Sequence, residues 1–104
     1  MPNSGKLQIT LLGTGSGIPH PDRNSASLYI KIGEDTYLFD AGAPVARSFL
    51  KYQDSLNSID AVFITHLHPD HWTGLPLLIQ GMHLEKRQRE LKIFLPKSGC
   101  YIFP

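Results

Sequence analysis

Between Thr65 and His71 the chain reads Thr-His-Leu-His-Pro-Asp-His, which places three of its five histidines and a carboxylate within six residues. No strand, helix or turn preference calls for that composition, whereas a bound metal ion does. Neutral imidazole nitrogens and carboxylate oxygens are borderline ligands that suit Zn2+, and also Fe2+ or Mn2+; a set made only of oxygens or only of thiolates would point elsewhere. His66 and His68 are two apart, so an extended backbone sends both rings to one side. Pro69 fixes its own φ and keeps His68 out of the helical region, which holds that geometry and turns the chain afterwards. Asp70 and His71 are adjacent and are expected to diverge from the first pair, so the loop reads as shared between two metals. The alternative is a polar loop that happens to be rich in histidine, since short motifs carry false positives.

The surrounding pattern supplies elements to hold these donors. Leu7, Ile9 and Leu11 alternate with Lys6, Gln8 and Thr10, a half-buried strand that ends at Gly13. Leu28, Ile30 and Ile32 alternate in a second strand, and Thr36 to Phe39 forms a third across a Gly33-Glu34-Asp35 hairpin turn. Pro44 suits the first turn of a helix whose Val45, Ala46, Phe49 and Leu50 share a face, and which fades near Tyr52. Asp54 to Asp60 reads as polar loop, and Ala61 to Ile64 as a short strand that delivers the histidines at its carboxyl end. Leu75, Leu78, Ile79 and Met82 give a second helix stripe, with Pro76 tolerable in its first turn; Leu91 to Leu95 reads as a fifth strand.

With 104 residues, 41% of them hydrophobic and 18% charged, the chain has the length and composition of one folded domain. A net charge of +1 gives no general pull toward nucleic acid or membrane, so a polyanionic substrate must be met locally. Lone Cys100 cannot form an internal disulfide, the N-terminus lacks a continuous apolar stretch, and no run approaches the length of a membrane span. A cytoplasmic protein without membrane contact is the expectation.

Other polar features have plainer readings. Gly13, Gly15 and Gly17 do not make a dinucleotide fingerprint, because the third glycine comes one position early and Pro19 disrupts the helix that should follow. A tight loop bordering the metal site fits better, its glycines serving positive φ or close approach of a substrate phosphate. Asp40 is a turn residue or an acceptor that orients a ligand histidine. Lys86, Arg87, Arg89 and Lys92 are interleaved with Glu85 and Glu90 and read as a solvated face. His20, His83 and Cys100 have no partner at ligand spacing.

With these residues in view, the chain resembles the metallo-β-lactamase fold superfamily, whose H-x-H-x-D-H pattern stands here as His66-Leu67-His68-Pro69-Asp70-His71. Within that superfamily it is most similar to the ribonuclease Z group, through Leu11-Leu-Gly-Thr-Gly-Ser-Gly-Ile-Pro, then Arg23-Asn24, then Leu38-Phe-Asp40-Ala-Gly42. The resemblance implies an α/β fold, the N-terminal half of a four-layer αββα architecture, with residues 1–104 forming a partial domain. It implies one zinc on His66 and His68 and a second on Asp70 and His71, with Asp70 also catalytic, Asp40 orienting a ligand, and Gly13, Gly15 and Gly17 at the substrate. A hydroxide between the two metals would attack a phosphodiester, with a tRNA precursor as the expected substrate. Ala43-Pro44 and Pro69 stand where that group carries an acidic residue with glycine, and a glycine. These departures keep open another hydrolase of the same fold, acting on a cyclic nucleotide, a sulfate or another ester. The group's later histidines and aspartate have no match after His71, so a non-catalytic fragment is a further reading. A bare sheet face would then lead the chain to self-associate.

Overall fold

The computed structural model describes residues 6–15, 18, 21 and 23–97, and on these the account that follows rests. Five strands form one sheet in the order β1-β2-β3-β4-β5: β1 (Leu7–Gly13), β2 (Ser27–Ile32), β3 (Asp35–Phe39), β4 (Ala61–Phe63) and β5 (Lys92–Phe94). The first three make an antiparallel meander, with Ile9 opposite Ile30 and Ile30 opposite Tyr37. The last two run parallel to β3, with Phe39 beside Phe63 and Phe63 beside Phe94. Parallel neighbours require crossovers, and helices α1 (Val45–Phe49) and α2 (Leu75–Leu84) supply them.

Both helices cover one face of the sheet. There Leu12, Tyr29, Leu38 and Val62 meet Val45, Phe49, Leu78 and Met82 in one buried cluster, with the Tyr29 and Phe49 rings edge to face at 5.1 Å. The alternation at period two explains why the opposite face is also apolar: Leu7, Ile9 and Leu11 are 57 to 60% exposed, whereas Tyr29, on the other side, is 2% exposed. Phe39, Phe63 and Phe94 stack across that open face at 4.9 and 4.7 Å, and Tyr37 meets Phe63 edge to face.

Three local expectations are corrected by packing. The buried side of α1 is Val45, Ser48 and Phe49, while Leu50 is exposed, because Ser48 accepts a hydrogen bond from Asn24 Nδ2 at 2.8 Å and turns inward. On α2, Leu78 and Met82 are buried but Ile79 is exposed, so the stripe is narrower than the spacing suggested. The segment read as polar loop contains a 3-10 turn, Leu56–Ser58, that buries Leu56 and Ile59 beneath α2. The basic run is exposed at Lys86, Arg89 and Lys92, as expected of a solvated face, but two of its arginines also reach backbone carbonyls. Arg87 Nη2 donates to the Ile59 and Glu90 carbonyls at 2.9 and 3.0 Å, and Arg89 pairs with Asp60 and donates to the Asn57 carbonyl at 2.6 Å. Burial, with Arg89 nearby, pulls the Arg87 guanidinium below its usual pKa. These arginines tie the connection before β4 to the one before β5.

Candidate metal centre

The carboxyl ends of β3 and β4 lie side by side, and the site is built where the two chains leave the sheet. β3 is followed directly by Asp40, a residue at φ 62, a left-handed conformation that aspartate tolerates better than most side chains. That turn sends the Asp40 amide to the Phe63 carbonyl at 2.7 Å and its carboxylate across to the segment following β4. Thr65 donates its N–H to Asp40 Oδ1 at 2.7 Å, and its hydroxyl lies 3.0 and 2.8 Å from Oδ1 and Oδ2. Asp40 Oδ2 is also 3.0 Å from His71 Nδ1. The contact is close but off the hydrogen-bond line, which leaves that buried nitrogen without an aligned partner.

The next turn of chain seats on the previous one. Ala41 N–H donates to the His71 carbonyl and Gly74 N–H to the Ala41 carbonyl, both at 2.7 Å. Gly42 is required at this junction by proximity: a Cβ there would fall 2.2 Å from the Asp70 carbonyl oxygen and 2.4 Å from Ser25 Cβ. His68 is extended, as Pro69 demands, and Pro69–His71 then forms a 3-10 turn, with the Trp72 indole N–H donating to the Leu67 carbonyl at 2.9 Å.

This geometry gathers the imidazoles. The His66 and His68 rings are 4.8 Å apart, as their spacing led one to expect, and the His66 and His71 rings are 3.8 Å apart. His71 therefore does not diverge from the first pair, because the 3-10 turn folds it back over His66. Asp70 Oδ2 lies 3.3 Å from His71 Nε2, so each ring nitrogen of His71 faces a carboxylate. His66, His68, Pro69, Asp70 and His71 line an open cleft of ≈ 630 Å³ together with Gly15 and Ala26.

Three imidazoles and a carboxylate around one cleft form, by their chemistry, a donor set suited to a divalent cation. As the side chains stand, among the described residues no group of three or more histidine, cysteine or acidic side chains is arranged to hold one.

Of the glycine loop, Gly15 borders the cleft, and Gly17 lies outside the described residues, as do His20 and Cys100. The close approach that Gly13 and Gly15 permit is to their own chain. A Cβ on Gly13 would lie 2.0 Å from the Ser25 carbonyl oxygen, and Gly15 N–H donates to the Asn24 carbonyl at 2.8 Å. Asn24 was legible only as part of a family pattern. Its Nδ2 bridges the Leu12 carbonyl and Ser48 Oγ, fixing the loop to α1.

The sheet, helices and loop together are those of the metallo-β-lactamase fold. The metallo-β-lactamase fold protein YhfI from Bacillus subtilis superposes with a TM-score of 0.80 at 22% identity, covering 88% of this chain and 37% of that one. Human tRNase Z, short form, matches with a TM-score of 0.65 at 25% identity, over 88% of this chain and 47% of that chain. The chain belongs to the family described as Anti-Pycsar protein Apyc1, which it matches over residues 7–100. Curated relatives named Ribonuclease Z are similar along the same span. The protein from Pyrococcus horikoshii is 45% identical over 93 residues, and that from Archaeoglobus fulgidus 40% over 92. The chain spans about 30% of the length of these relatives. The fold and these relatives together imply a divalent metal.

Proposed function

We propose that this chain contributes the first metal-binding loop of a metal-dependent phosphodiester hydrolase of the ribonuclease Z type, with zinc as the metal and a tRNA precursor as the substrate. The observation that carries this reading is the gathering of His66, His68 and His71 around the cleft at the carboxyl end of β4, where Asp40 and Thr65 brace them. The similarity to proteins named Ribonuclease Z supports the substrate class.

In this reading His66 and His68 hold one ion, and Asp70 and His71 the other. Bound divalent ions would supply a hydroxide nucleophile near neutral pH and stabilise charge on the phosphoryl oxygens. Asp70, which already lines the cleft, would hold the second ion beside His71 and help to orient the nucleophile. Asp40 keeps His71 in place, and Gly15 leaves room at the rim for substrate. A catalytic zinc takes about three protein ligands beside water, so two ions need more donors than these four. The chain on its own is therefore expected to hold metal weakly and to show no phosphodiesterase activity, and a complete two-ion site would draw its remaining donors from beyond this loop.

A second reading is another phosphodiester hydrolase of the same fold acting on a cyclic nucleotide, since Pro69 stands where the ribonuclease Z pattern has a glycine. The Asp-Ala-Gly-Ala-Pro turn after β3 also departs from the ribonuclease Z pattern. Activity measured side by side on a tRNA precursor, cyclic nucleotides and simple diesters, with and without added zinc, in a protein that joins this chain to the remaining donors, separates the two. Zinc-dependent cleavage of the tRNA precursor at its 3′ side supports the first, and turnover confined to cyclic nucleotides replaces it with the second. Undiminished cleavage of any of them after complete metal removal overturns both.

A further inference from the structure

Thr65 is the residue around which the proton inventory of the site can be worked out, and it lies outside the H-x-H-x-D-H pattern. Among the described residues its hydroxyl oxygen has three polar contacts: Asp40 Oδ1 at 3.0 Å, Asp40 Oδ2 at 2.8 Å and His66 Nδ1 at 3.1 Å. A hydroxyl has one proton to give and two lone pairs. An ionised carboxylate only accepts, so the contact with Asp40 can be satisfied in one way, by the threonine proton. What Thr65 then offers His66 is a lone pair. Nδ1 of His66 must carry the proton of that contact, since a bare Nδ1 would set two lone pairs against each other at 3.1 Å.

From this we infer that Thr65 is a positioning residue which fixes His66 as the Nδ1–H tautomer and so presents Nε2 as its ligating nitrogen. The consequence for a metal rests on the metal-centre reading above, whereas the tautomer itself does not. The same arrangement brings the Nδ1 of His71 within 3.0 Å of Asp40 Oδ2. One threonine–aspartate pair thus addresses the Nδ1 side of two rings drawn from opposite ends of the motif. A histidine's ligating nitrogen is set by what the other nitrogen bonds. The Thr65 N–H bond to Asp40 Oδ1 at 2.7 Å would survive loss of the hydroxyl, so the carboxylate keeps one anchor while His66 loses its acceptor.

The test is nitrogen-15 NMR of the metal-free full chain, read at a pH well above the ordinary imidazole value of about 6.5, on wild type, Thr65→Val and Thr65→Ser. Wild type and Thr65→Ser are expected to show His66 with Nδ1 protonated, by roughly ten to one. In Thr65→Val the ratio is expected to collapse toward the Nε2–H form, as the loss of one hydrogen bond allows. Zinc titration of the same samples is expected to show affinity reduced about 10- to 100-fold in Thr65→Val and close to wild type in Thr65→Ser. A wild-type spectrum with His66 in the Nε2–H form overturns the inference even if the valine variant does not fold. A ratio unchanged in a folded Thr65→Val overturns it too. A wild-type chain with the Nδ1–H signature that takes up no zinc upholds the tautomer assignment and overturns the metal-centre reading instead.

Discussion

Thr65 gives its backbone N–H to the Asp40 carboxylate at 2.7 Å and sets its hydroxyl 2.8 Å from the other oxygen, across 25 residues of sequence. The end of β3 is thereby fastened to the start of the histidine loop. Replacing Asp40 by alanine leaves that amide and hydroxyl unpaired and puts a less suitable residue at φ 62. A loss of about 1–3 kcal/mol in urea unfolding is expected. Asp40→Asn keeps the shape and the backbone preference, so it should cost less stability while lowering zinc affinity about 10- to 100-fold.

His66→Ala and His68→Ala, made together, should abolish the weak zinc binding expected of this chain, read by equilibrium dialysis against zinc. Zinc stoichiometry unchanged by the double substitution would mean that the loop does not hold the metal.

In a preparation that turns over a phosphodiester, Asp70→Asn should depress kcat far more than it raises KM, because a carboxylate orienting the nucleophile acts mainly in the transition state. Equal losses in both would assign Asp70 to binding.

Gly42→Ala should destabilise the chain by about 1–3 kcal/mol in urea unfolding, the scale of overpacking. The added methyl would meet the Asp70 backbone oxygen, which cannot move without moving the loop. A midpoint within error of wild type would show that the junction between Gly42 and Asp70 is slack.

The open sheet face should cause self-association, visible as concentration-dependent sedimentation. Phe94→Lys, which puts a charge on the edge strand beside Phe63, should reduce it. Equal sedimentation of wild type and variant would locate the contact elsewhere.

Much of this architecture could be read in the sequence because its strands obey a strict period of two. The alternation in Leu7-Gln8-Ile9-Thr10-Leu11 and in Leu28-Tyr29-Ile30 marks both faces, and the structure has those strands in those places. The spacing of His66 and His68 likewise foretold their shared side. What local pattern could not carry was decided at long range. Ser48 turns inward because Asn24 reaches it, and Leu56 and Ile59 are buried because α2 lies over them. Arg87 and Arg89 looked like surface charge because their acceptors are backbone carbonyls some thirty residues away, which composition does not reveal. The return of His71 over His66 depended on a 3-10 turn that adjacency in sequence did not suggest.

The sheet order has a kinetic consequence. β1, β2 and β3 pair with their immediate neighbours in sequence, whereas β4 and β5 must wait for chain closure around a helix before their parallel partners can be met. Contacts distant in sequence form late because loop closure precedes any gain from pairing. The Asp40 to Thr65 junction belongs to the late group, so the meander should acquire amide protection in pulse-labelling hydrogen exchange before the histidine loop does. The donor cluster would then be assembled in the last stage of folding, on a scaffold already formed.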